Sequence, residues 1–179
     1  MLNKNFFTLL FFSTICSTAW ADNLPVQVTQ KINENYPGAK VLVKTECPLG
    51  VKKTDSYGVL IKNENDSLDA IILYRKNKEW NLLSVPHKLQ GNGFFIADFL
   101  SDYYDHPKSF DILCTNPRTD KDNMNTDGNA EFTKFATTLP NNVQHLCLST
   151  DVTYNNWYCY TINPATSIPE VSYTQATAD

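Results

Sequence analysis

Residues 57–85 read YGVLIKNENDSLDAIILYRKNKEWNLLSV. Three short apolar runs, YGVLIK (57–62), DAIILYR (69–75) and WNLLSV (80–85), are separated by the polar stretches NENDSL and KNKE. Runs of this length, divided by turn-forming residues, predict strands joined by tight connections in an antiparallel meander. Trp80 reads as a core or rim residue of that meander. Just upstream, AKVLVKTEC (39–47) alternates: Ala39, Val41, Val43, Thr45 and Cys47 on one side, Lys40, Leu42, Lys44 and Glu46 on the other. The alternation predicts a strand with one buried face and one mostly charged face.

Outside this block the period changes. In DNLPVQVTQKINENYPG (22–38), Leu24, Val28 and Ile32 recur every four residues, Asn23 and Pro25 suit a helix start, and Pro37-Gly38 stops it. An amphipathic helix of about three turns is expected there. After GNG (91–93), Phe95, Ile96, Phe99, Leu100 and Tyr103 follow helical spacing up to Pro107, which predicts a second helix of about 12 residues ending in DYYDH (102–106). His106 then sits as a C-terminal cap, where a cation suits the helix dipole. SFDILC (109–114), NVQHLCLS (142–149) and WYCYTI (157–162) read as later strands, and FTKFATTL (132–139) as a short helix or strand. The expected fold class is α+β: an N-terminal helix, an antiparallel sheet of about six to eight strands, and at least one further helix. One domain over 22–165 is expected, with a flexible Pro/Ser/Thr-rich tail over 166–179.

The first 21 residues read as a secretory signal peptide: Lys4, an apolar run FFTLLFFSTI (6–15), and the small-x-small site AWA (19–21). The mature chain is then expected in the periplasm or outside the cell. Loss of Lys4 takes the net charge from −4 to −5. That balance argues against a nucleic-acid partner, which needs a basic patch. No second apolar run approaches membrane-spanning length. Cleavage also removes Cys16 and leaves Cys47, Cys114, Cys147 and Cys159, an even set in an oxidising compartment. Of the three possible connectivities, Cys147–Cys159 suits a local hairpin, and Cys47–Cys114 then staples the two halves. A metal–thiolate site is disfavoured, because there is no CxxC and His145 with Cys147 supplies only two ligands on one strand face.

Charge is unevenly spread. Residues 98–131 hold eight acids against three Lys/Arg, whereas 39–90 lean basic. Asp98, Asp102 and Asp105 line one side of the second predicted helix at spacings that suit paired carboxylates of a glycosidase. A working pair needs a cleft and split pKa values, and an outward helix side supplies neither. Tyr104 with Asp98, Asp102 and Asp105 instead suits a partner-binding surface: tyrosine is favoured at hot spots and acids steer a cationic partner. Tyr154, Trp157, Tyr158 and Tyr160 form a second aromatic group, in which Trp157 and Cys159 share one strand face and Tyr158 and Tyr160 the other.

NMNTDGNAE (123–131) resembles the start of an EF-hand-like calcium loop. Asn123, Asn125 and Asp127 stand at the first three oxygen positions, with Gly128 at the turn. It departs from that pattern at position 1, which is Asn, and at position 12, which is Lys134 rather than a bidentate Glu. An Asn/Asp/Gly-rich turn without metal is the competing reading, and no cofactor is expected. There is no GxSxG, HExxH or SxxK motif and no phosphate-binding glycine loop.

A small exported chain with two disulfides and no catalytic motif is similar in overall plan to secreted bacterial inhibitor and immunity proteins. Those proteins neutralise cell-wall hydrolases or interbacterial toxins. The resemblance is one of architecture and carries no residue roles across. It implies a protein partner, here a basic secreted enzyme or toxin docked by the acidic middle segment. The alternatives are a wall-directed hydrolase using the paired carboxylates and a structural envelope protein.

Overall fold

The stretch 57–85 forms the greater part of a four-stranded antiparallel sheet. Its strands are β1 (Lys40–Glu46), β2 (Ser56–Lys62), β3 (Leu68–Lys76) and β4 (Glu79–Ser84), paired in sequence order. The computed structural model describes residues 24–85, 111–119, 134, 136–149 and 157–175. A second four-stranded antiparallel sheet follows: β5 (Asp111–Thr115), β6 (His145–Ser149), β7 (Trp157–Ile162) and β8 (Pro169–Gln175), also in sequence order. Helix α1 (Val26–Asn35) precedes both. The β3–β4 connection is two residues, Asn77 and Lys78, both with positive φ (53° and 70°). Positive φ at both central positions is the geometry whose twist matches that of the flanking strands.

β2 and β3 are covered on both sides, which is why they read as unbroken apolar runs. Val59 and Ile61 of β2 and Ile71 and Leu73 of β3 pack with Val28 and Ile32 of α1. Their neighbours Leu60, Ala70 and Ile72 point the other way, into a cluster with Ile112, Leu146, Leu148, Tyr158 and Tyr160 of the second sheet. The layers are therefore helix, sheet, sheet. Burying Val28 and Ile32 stabilises the α1 contact by about 1.5–3 kcal/mol each, so a charge at Ile32 would detach the helix. A third, smaller cluster of Ala136, Cys147 and Cys159 lies on the far side of the second sheet.

Close approach of the sheets depends on Gly58. A Cβ there would lie 2.6 Å from Ile112 Cγ2 and 2.7 Å from Leu146 Cδ2. The sheets are also joined at one corner, where Thr45 Oγ1 donates to the Ile112 carbonyl at 2.6 Å and Cys47 is disulfide-bonded to Cys114. The second disulfide links Cys147 and Cys159, which face each other on β6 and β7.

Three expectations are corrected. The α+β class is overturned: the chain is mostly β, and the eight strands among the described residues form two packed sheets instead of one. Helical structure among the described residues is limited to α1 and a short turn at Lys134 and 136–138. Alternation reports which side of a strand is buried, but not whether a helix or another sheet covers it. The second predicted helix, up to His106, lies outside the described residues. Second, the single buried face read for β1 is split. A register irregularity between Val41 and Val43 sends Ala39 and Val41 under α1 and Val43 into the inter-sheet core, leaving Leu42 exposed. An extra residue in one strand reverses the facing of everything after it. Third, the segment read as a flexible tail from 166 onward contains β8, folded back on β7 through a turn in which Asn163 Oδ1 accepts the Ala165 amide at 2.8 Å.

Candidate functional site

Asp98, Asp102, Tyr104 and Asp105 lie outside the described residues, as do the calcium candidates Asn123, Asn125 and Asp127. The structure does place the points from which their segments depart. Residues 86–110 run between Val85 and Ile112, both buried in the inter-sheet core. Residues 120–133 are bracketed by a second set of contacts. Asn116 Nδ2 donates to the Asn141 carbonyl at 2.5 Å, and Arg118 Nη1 donates to the Leu139 carbonyl at 2.8 Å. Both acidic segments therefore begin and end on a frame that two disulfides tie together.

The described surface also holds a feature that sequence reasoning missed: a cleft of about 560 Å³ at the end of the second sheet. The chain between β1 and β2 builds one wall. Leu49 and Thr54 bridge as a hairpin extension, and Gly50, at φ +72°, donates its amide to the Gln144 carbonyl at 3.0 Å. That places Val51 and Lys52 over the cleft. A Cβ on Gly50 would come within 3.2 Å of Ile162 Cβ, so glycine serves both the turn and the close approach to β7. Leu139, Pro140, Val143, Ile162 and Pro164 supply further apolar lining. The sequence signal was present in PLGVKK (48–53), a glycine turn followed by an exposed valine and two lysines. Only the fold brings it against residues between Leu139 and Ser172.

His145 and Ser172 also line the cleft. Ser172 is the extra residue where the β7–β8 register shifts, and its Oγ donates to the Cys159 carbonyl at 3.0 Å. His145 Nδ1 lies 2.9 Å from the same Oγ. Because the hydroxyl proton is committed to the carbonyl, the imidazole donates from Nδ1, a tautomer inferred from this network. Burial of the fully enclosed ring lowers its pKa to about 4, so it is neutral at pH 7. This geometry orients Ser172 toward a carbonyl rather than toward a base, the reverse of an activated nucleophile. Cys147, the other half of the two-ligand reading, is held in the disulfide with Cys159.

The aromatic residues sort by layer. Tyr158 and Tyr160 belong to the inter-sheet core. Trp80 is partly buried against the helix-side cluster, with its ring centroid 5.6 Å from that of Tyr57. Among the described residues, no group of three or more His, Cys, Asp or Glu converges on a metal-sized site, and no helix is long and apolar enough to cross a membrane. Comparison with family models, curated proteins and solved structures gives no match, so the reading of this chain rests on its own residues.

Proposed function

We propose that this chain is an exported binding protein that inhibits or neutralises a cationic partner protein, such as a cell-wall hydrolase or an interbacterial toxin. One observation carries the reading: both acidic segments are anchored at both ends on a disulfide-tied β frame, through Val85 and Ile112 and through the Asn116 and Arg118 hydrogen bonds. Binding residues characteristically stand on connections held by a rigid scaffold, because the scaffold lowers the ordering cost on association. The eight acids within 98–131 supply the charge that steers a basic partner. Asp98, Asp102, Tyr104 and Asp105 are the contact residues of this proposal.

The test is inhibition of cationic muramidases acting on purified wall, at low and at physiological salt. Inhibition that weakens with salt is expected, and Asp102→Lys with Asp105→Lys should slow association by about tenfold. Wall hydrolysis by the protein alone, abolished by Asp98→Asn, would replace this reading with the paired-carboxylate hydrolase. Inhibition that is indifferent to the two lysines would remove the acidic segment from the interface.

A further inference from the structure

We propose that the cleft between the 49–54 hairpin and the end of the second sheet is a binding site for a small amphiphilic anion, an apolar body carrying one carboxylate-type head. The proposal is argued from described residues alone and does not depend on the inhibitor reading.

The volume, about 560 Å³, falls within the range of about 300–1,000 Å³ in which proteins enclose small ligands. Its walls are apolar where a ligand body would lie: Val51, Leu139, Val143 and Ile162. Val51 is 61 % exposed, an apolar side chain held at the mouth without cover from the described residues. An apolar occupant would remove that surface from water, which is the main source of affinity in such sites.

The charge at the mouth selects the head group. Lys52 lines the cleft, Lys53 adjoins it, and no Asp or Glu is among the described lining residues. In a chain with 19 acids against 15 Lys/Arg, a described lining with lysine and no acid is locally opposite in sign to the whole molecule. A cationic amphiphile would lose the attraction that an anionic one gains. The histidine at the cleft is neutral near pH 7, so the positive charge there comes from lysine.

The cleft is also preformed. The hairpin is closed by the paired Leu49 and Thr54 and held to the start of β6 by the Gly50–Gln144 hydrogen bond, with the Cys47–Cys114 disulfide at its base. Little ordering remains to oppose binding. A cleft of this volume encloses a small molecule more completely than a strand or helix of a partner protein, which would leave most of its own length outside.

The experiment is calorimetric titration of the purified protein, both disulfides formed, with decanoate, decanol and decyltrimethylammonium below their aggregation limits. Saturable one-to-one binding of decanoate is expected, with decyltrimethylammonium about tenfold weaker and decanol between them. Lys52→Glu should weaken decanoate by about fivefold, and Val51→Asp should weaken it further. Val26→Asp, at an 83 % exposed position on α1, is the control and should leave the affinity unchanged. All three substitutions are at exposed positions, so each variant is expected to keep the fold, with unchanged circular dichroism as the check. Absence of saturable binding, equal affinity for the cationic analogue, or decanoate affinity indifferent to Val51 and Lys52 would each overturn the proposal. None of these results bears on inhibition through the acidic segments, so the two readings fail separately.

Discussion

His145 and Ser172 meet across an intervening strand: His145 Nδ1 on β6 lies 2.9 Å from Ser172 Oγ on β8, while that hydroxyl donates to the Cys159 carbonyl of β7 between them. The contact ties three strands together with one proton chain, around an imidazole that burial keeps neutral. In the unfolded chain the ring binds a proton below about pH 6.5, whereas in the folded chain burial holds it neutral down to about pH 4. Stability from this group is therefore complete above the unfolded value and lost as pH falls from about 6.5 to about 4, a change of about 3 kcal/mol. Urea midpoints at pH 7 and pH 4.5 should differ by less in His145→Gln than in the parent. An equal difference in the two proteins would exclude His145 as the sensor.

The two disulfides should contribute unequally. Cys147–Cys159 closes a short span of 12 positions, whereas Cys47–Cys114 closes 67 and joins the two sheets. Chain-entropy arguments give about 3 kcal/mol for the first and about 4 kcal/mol for the second. Paired Cys→Ala variants, compared by chemical denaturation, should show the larger loss for Cys47/Cys114. That variant should also lose the affinity of the cleft for decanoate, because its hairpin wall is released.

Gly58→Val should destabilise the sandwich by about 1–3 kcal/mol through overpacking. Its new Cβ meets Ile112 and Leu146 across the sheets. Pairing it with Leu146→Ala should recover part of the loss, since the second change opens the space the first one fills. A double-mutant cycle with no coupling would show that the sheets separate rather than repack.

Tyr160→Phe should leave stability unchanged or raise it by about 1 kcal/mol. The hydroxyl is buried with no hydrogen-bond partner among the described residues, and burial together with Tyr158 pushes its pKa well above the ordinary tyrosine value. Thermal denaturation of the variant reads this directly. A loss of more than about 1 kcal/mol would mean that the hydroxyl is bonded by a residue outside those described.

The strands of the first sheet were legible because their signals are local. The runs at 57–62, 69–75 and 80–85 coincide closely with β2, β3 and β4, and the four-residue recurrence of Leu24, Val28 and Ile32 with α1. β8 was not legible in the same way. PEVSYTQ has few large apolar residues, and its order comes from pairing with β7 rather than from its own pattern. The cleft was invisible for a related reason: Val51, Val143 and Ile162 are each unremarkable in sequence and acquire a common purpose only where three segments meet.

By itself the sequence determined the order of α1 and of the strands β1 to β7, the expectation of two staples, and the acidic bias of 98–131. These depend on period, composition and near neighbours along the chain. Only the tertiary structure decided that the strands divide into two sheets of four, that Val41 and Val43 face opposite layers, and that a lysine-rimmed apolar cleft stands at one end. Alternation tells a strand which of its sides avoids water. Which element covers that side is settled by long-range packing, here by Gly58 admitting Ile112 and Leu146 and by Gly50 pairing with Gln144.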